Sequence, residues 1–160
     1  MTGSVIAFTG HRPNKLGGYG QSPTRDLIEK RLRSLLDALK PSKCISGMAL
    51  GFDQWAAQIC IDLGIPFVAA IPFKGQELKW PCKSQSAYLV LMAKAIDVKV
   101  VCEGPYAAWK MQERNKWMVD QADEIIACFD GSPGGTANCL AYARLLGKTI
   151  HIIDPTLADE

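Results

Sequence analysis

The chain has 160 residues, 48% apolar and 21% charged, with a formal net charge of +2. That length suits one domain, 1–160, which can bury its own core without a metal or disulfide staple, and so small a charge argues against nucleic-acid or membrane-surface partners. No apolar run approaches the ~18 residues of a membrane span, and no basic segment followed by an apolar one opens the chain, so neither a membrane partner nor a signal peptide is expected.

Val5-Ile6-Ala7-Phe8-Thr9 reads as a buried strand, and the glycine-rich loop Gly10 to Gly20 follows it. Ile28, Leu32, Leu35, Leu36 and Leu39 then recur at helical spacing until Pro41 stops the stripe. Lys43 to Ser46 is a second short strand. The segment Ser46-Gly47-Met48-Ala49-Leu50-Gly51-Phe52-Asp53 leads from it into a helix carrying Trp55, Ala56, Ile59, Cys60 and Leu63 on one face, which Gly64 is suited to cap. Ile65 to Pro72 is expected as a third strand, followed by a polar loop from Phe73 to Ser84 and a helix through Tyr88, Leu91 and Ala95. Val98 to Cys102 is expected as a fourth strand and Ala107 to Gln121 as a fourth helix. Glu124 to Phe129 is a fifth strand, the run Asp130-Gly131-Ser132-Pro133-Gly134-Gly135-Thr136-Ala137-Asn138 is a glycine loop opening a helix, and Thr149 to Ile153 is a sixth strand. Pro155 to Glu160 reads as a tail. Short strands alternating with helices of about a dozen residues require parallel pairing, hence an α/β, three-layer Rossmann-like domain with a mostly parallel sheet of about six strands.

The six cysteines form no C-x-x-C pair and lie mostly in apolar runs, which fits reduced thiols in a cytoplasmic setting. His11 and His151 are far apart with no cysteines at ligand spacing, so no metal is expected. Gly147-Lys148-Thr149 imitates the end of a phosphate-binding P-loop, but Tyr142 stands where that motif needs glycine, and the segment leaves a helix instead of entering one. The G-x-G-x-x-G fingerprint of dinucleotide cofactors is absent after the first strand, and no cofactor is expected.

Open α/β sheets place ligands at the carboxyl ends of their strands. Three segments fall there: Thr9, Gly10, His11 and Arg12; Ser46, Gly47, Gly51 and Asp53; and Asp130, Gly134, Gly135, Thr136 and Asn138. Paired glycines let backbone approach a ligand, and a helix start offers free N–H groups to an anion. Arg114 and Asn115 add a planar guanidinium and an amide within a polar helix segment, the former suited to a phosphate. Trp80 is open to two readings, packing or stacking on a base.

Four ordered motifs, Thr9-Gly10-His11-Arg12-Pro13-x-Lys15-Leu16-Gly17-Gly18-Tyr19, Ser46-Gly47-Met48-Ala49-x-Gly51-x-Asp53, Arg114-Asn115-x-x-Met118-Val119-Asp120 and Asp130-Gly131-x-x-Gly134-Gly135-Thr136-x-Asn138, resemble the YpsA-related branch of the SLOG superfamily, itself similar to the Lonely-guy (LOG) and DprA proteins. The resemblance implies a Rossmann-like domain that binds nucleotides or nucleotide-derived, ADP-ribose-like molecules and often forms homodimers. LOG enzymes cleave the N-glycosidic bond of nucleoside monophosphates, with a glutamate three positions after the threonine of the glycine loop; here Cys139 stands at that place. A buried thiol cannot stabilise a cationic sugar or activate water as a carboxylate does. The leading expectation is therefore a sensor or sequestering module for a nucleotide-derived small molecule. The alternatives are a nucleotide N-glycosidase with Asp53 as a relocated catalytic carboxylate and, least favoured, a single-stranded DNA-handling protein similar to DprA.

Overall fold

The structure is a computed structural model that describes residues 3–156. Six strands, β1 (Val5–Gly10), β2 (Lys43–Ser46), β3 (Phe67–Ile71), β4 (Asp97–Val100), β5 (Glu124–Cys128) and β6 (Thr149–Ile153), form one sheet in the order β4-β3-β2-β1-β5-β6. Every neighbouring pair is parallel, so the sheet is all-parallel, one step beyond the mostly parallel arrangement expected. Five helices connect the strands: α1 (Pro23–Leu39), α2 (Phe52–Leu63), α3 (Cys82–Lys94), α4 (Ala108–Gln121) and α5 (Gly135–Leu145). Of the tail expected from Pro155, residues 157–160 lie outside the described residues.

Alternation along the strands divides the core into two layers. Ile6 and Phe8 of β1 face one way with Phe67 and Ala69, packing on Leu32 and Leu36 of α1, Phe52 and Ile59 of α2, and Tyr88 and Leu91 of α3. Ala7 faces the other way with Val68, Ala70 and Ile125, against Met118 of α4 and Leu140 of α5. Residues two apart on a strand share a face, so one sheet buried on both sides yields two helix layers.

Local chemistry sets the element ends. Ser22 caps α1 by accepting from the Arg25 N–H, and Pro23 occupies its first turn, where a missing N–H costs nothing. Gly64 ends α2 at φ 73°, as its position predicts. β3 starts at Phe67 and not Ile65, because the Ile65 N–H is committed to Cys60 O at the end of α2. β4 runs Asp97–Val100, while the N–H groups of Val101 and Cys102 still reach Ile71 O and Pro72 O beyond it. Trp80 resolves in favour of packing: its ring sits edge-on to Tyr88 at 5.2 Å, against the α1–α3 core.

The chain steps outward from β1 through β2 and β3 to β4, then returns across the sheet to β5 on the other side of β1. Strand order reverses between β1 and β5, so the loops leaving their carboxyl ends diverge and open a crevice. Close packing beside that crevice depends on Gly10, where a Cβ would lie 2.6 Å from the fully buried Phe52. Gly10→Ala is expected to lower stability by about 1–3 kcal/mol through overpacking. Gly20→Ala, where an added Cβ meets nothing, serves as the control, with urea midpoints as the readout.

Candidate functional site

The crevice has a volume of about 350 Å³. The loop after β1 supplies Thr9, Gly10, His11, Arg12 and Lys15; α2 supplies Asp53; α4 supplies Gln112, Arg114 and Asn115; and the loop into α5 supplies Pro133 to Thr136. Ser46, Gly47, Gly51 and Asp130 are not part of its lining; the first three build the junction that holds Asp53 and Arg114. Asn138 is exposed on α5 and does not line it.

Asp53 occupies the first turn of α2 and is 5% exposed. Its Oδ2 accepts from the Ala49 N–H at 3.3 Å, whereas Oδ1 is buried with no hydrogen-bond partner among the described residues. The junction around it is tightly built. Ser46 Oγ donates to Asp53 O and accepts from the Met48 N–H, and Met48 takes a left-handed φ of 60° that a non-glycine residue rarely adopts. Gly51 enters α2 at φ 95°, and a Cβ there would lie 2.6 Å from His11 O, so the loops after β1 and β2 touch through bare backbone.

Arg114 reaches the same place from α4 and is 4% exposed. Its Nη1 donates to Gly47 O at 2.7 Å and to Ala70 O at 3.4 Å, and its Nε donates to Asn115 Oδ1 at 3.0 Å. Nη2 has no hydrogen-bond partner among the described residues. A Cβ on Gly47 would lie 2.6 Å from Nη1 and 3.0 Å from Asp53 Oδ2, so the carboxylate and the guanidinium face each other across a missing side chain. Burial dominates both groups. It lifts Asp53 to about 6, against the pull of the Arg114 and Arg12 charges, and it draws Arg114 below its ordinary value against the pull of Asp53.

The α5 end supplies the opposite polarity. Asn138 N–H makes the first helical bond, to Gly134 O, and no side chain caps the helix, which leaves the N–H groups of Gly135, Thr136 and Ala137 without helical partners. Gly134 has a φ of 141° and an added Cβ there meets nothing, so bare backbone fronts the crevice. Cys139, one turn further on, is 2% exposed, and burial pushes its thiol up to about 11. That position therefore offers no charge at neutral pH.

Two contacts tie the rims together. His11 Nε2 lies 2.8 Å from Asp130 Oδ1 and 3.1 Å from the Asp130 backbone nitrogen, and Lys15 Nζ donates to Ser132 Oγ at 2.6 Å. The Ser132 hydroxyl and N–H, with help from His11, hold the Asp130 carboxyl well below the usual range. Arg12 is exposed at the mouth. Sequence reasoning missed Gln76, which donates to Gly47 O and Tyr88 OH from the loop before α3, and Gln54, which donates to Met48 O. A single glutamine in a polar stretch carries no periodic signal that would single it out.

An all-parallel sheet with a polar crevice at its strand reversal defines a Rossmann-like domain. The family model YpsA, described as the YspA SLOG family, matches residues 6–148, and the chain belongs to that family. It is 32% identical over 158 residues to the SPbeta prophage-derived protein YoqJ of Bacillus subtilis (strain 168), covering 84% of this chain and 92% of YoqJ. The fold is similar to DNA processing protein A of Streptococcus pneumoniae, with a TM-score of 0.68 at 18% identity over 96% of this chain. The chain spans about half of that larger protein, 51%. The Helicobacter pylori counterpart, described by its single-stranded DNA binding mode, gives a TM-score of 0.70 at 14% identity, over 99% of this chain and 69% of its own.

Asp53 generates a pH prediction. An acid raised in the folded state is more costly to ionise there than in the unfolded chain, so stability is highest below about pH 4 for this group and falls as pH rises through 6. The loss is on the order of 3 kcal/mol. Asp53→Asn is expected to flatten that segment of the stability–pH curve, measured by urea unfolding between pH 4 and about 7.5.

Proposed function

We propose that this protein binds a nucleotide or a nucleotide-derived, ADP-ribose-like molecule, acting as a sensor or sequestering module. The observation that carries the reading is Asp53 Oδ1, a buried carboxylate oxygen with no hydrogen-bond partner among the described residues, on a residue that lines the same crevice as the uncapped start of α5. Buried polar atoms are almost always satisfied, and a hydroxyl donor from a ligand is the missing partner that fits a carboxylate. A phosphate fits the free N–H groups of Gly135 to Ala137 and the positive end of α5. One molecule carrying a hydroxylated sugar and a phosphate meets both demands. Arg114 lends charge from the crevice floor with Nη2 in reserve, and the exposed Arg12 closes over the phosphate from the mouth. The module works as a homodimer in the reducing cytoplasm, a setting that suits its six free cysteines, four of them buried. Among the described residues, no helix is long and apolar enough to cross a membrane.

A second reading, a nucleotide N-glycosidase related to the LOG enzymes, is favoured by Asp53 itself, since a carboxyl at about 6 suits proton transfer near neutrality. Single-stranded DNA handling similar to that of DprA has the least support, because the formal charge is only +2.

Calorimetry with ADP-ribose and nucleoside monophosphates is expected to show binding that Gly135→Asp abolishes and Arg12→Ala weakens roughly tenfold or more. A ligand hydroxyl donating to Asp53 binds the ionised form, so affinity is expected to rise as pH increases through 6. Wild-type protein that binds none of the pool would refute the proposal. Chromatography for released base separates the second reading: turnover abolished by Asp53→Asn with binding retained establishes it.

A further inference from the structure

β4 is an edge of the sheet, and all four of its residues are exposed. Val98 and Val100 are each 42% exposed, and Ile96 just before them is 60% exposed. Proteins usually blunt such edges, because unpaired strands recruit other strands. Val98 pairs with Ala69 and Val100 with Ile71, which places the apolar side chains on the α1–α3 face of the sheet. Leu89 of α3, a helix packed on that face, is 57% exposed.

The backbone is open at Val98, while the Ile96 N–H is taken by Phe67 O at 2.9 Å, so Ile96 can add to a pairing only through its side chain and carbonyl. The Val101 N–H donates to Ile71 O, so by parallel alternation the odd-numbered residues of β4 face β3, and Val98 faces outward. The Val98 N–H is held only by the neighbouring Asp97 Oδ1, at 2.9 Å.

The sequence here, Ile96-Asp97-Val98-Lys99-Val100, is complementary to itself when reversed. Antiparallel pairing of two copies centred on Val98 sets Val98 against Val98, Ile96 against Val100, and Asp97 against Lys99 twice. Moving the centre to Asp97 or Lys99 sets like charges opposite each other, and a centre between residues sets a charge against a valine. Among the described residues neither Asp97 nor Lys99 belongs to an ion pair.

We propose that a second copy of this chain pairs along β4 about a two-fold axis at Val98, joining the two sheets into one. Self-complementarity is what a two-fold interface demands, and a strand from another protein has no reason to match it. In the pair, the Val98 carbonyl of the second copy replaces Asp97 Oδ1 on the Val98 N–H, and the freed carboxylate turns to Lys99 of the second copy. The apolar side chains of both edges cover each other on one face, and the charge pairs close the other. This rests on the homodimer of the preceding reading and assigns it an interface; because it is measured without ligand, its failure leaves the nucleotide-binding part of that reading standing.

Sedimentation velocity over a wide concentration range is the test, with circular dichroism to confirm folding. The 17.5 kDa chain is expected to sediment as a dimer, and Val98→Lys as a monomer. Lys99→Asp is expected to weaken the dimer roughly tenfold or more, by turning two attractive pairs into repulsive ones. Combining Asp97→Lys with Lys99→Asp restores it. A wild-type monomer at every concentration, a dimer indifferent to Val98→Lys, or a charge swap that fails to restore pairing overturns the proposal.

Discussion

The structure around the crevice depends on one arrangement: Arg114 and Asp53 brought together under the strand ends, separated by the absent side chain of Gly47. A buried guanidinium needs partners for its donors, and Arg114 places Nη1 against carbonyls from two strand ends, Gly47 after β2 and Ala70 in β3. One side chain from α4 thereby fixes the β2 and β3 ends against the helix that precedes β5. Asp53 is held by the same junction but is left one hydrogen bond short. The crevice floor therefore combines a cation paired through Nε and Nη1 with an acid that has one oxygen unpaired among the described residues.

Much of this architecture is written locally in the chain. Short apolar runs mark the inner strands β1, β2, β3 and β5, because a strand buried on both faces needs nothing more distinctive, and the edge strands β4 and β6 keep the same short runs with more of their residues exposed. Their ends shift where a backbone group is claimed from elsewhere, as at Ile65. The three loops of the crevice are legible for the same local reason, since glycine pairs and helix starts at strand ends are adjacent in sequence. What is not legible is long-range. Arg114 reaches partners 67 and 44 residues away, and Gln76 supports Gly47 from 29 residues away. Asn138 belongs to the same motif as Thr136, yet the turn of α5 that buries Thr136 leaves Asn138 exposed. Trp80 shows the converse: an aromatic residue in a polar stretch is recruited by the core.

The α5 end and the α2 end play complementary parts. The first offers N–H groups with no side-chain competitor, and Cys139 adds no charge beside them. The second offers the single acid. The carboxylate comes from α2 and not from the glycine loop itself. Asp53 shares the crevice lining with one other group able to carry a proton near neutrality, the His11 imidazole.

The contacts from His11 to Asp130 and from Lys15 to Ser132 join loops 119 and 117 residues apart. They stitch the two sides of the strand reversal into a closed hoop. Ordering a backbone residue costs about 1–2 kcal/mol of entropy, and in this hoop that ordering is completed when the chain folds. A ligand of the proposed kind would meet a frame already set, and little of its binding energy would go to arranging the rim. The exposed side chain of Arg12 stands outside the stitch, at the mouth of the crevice.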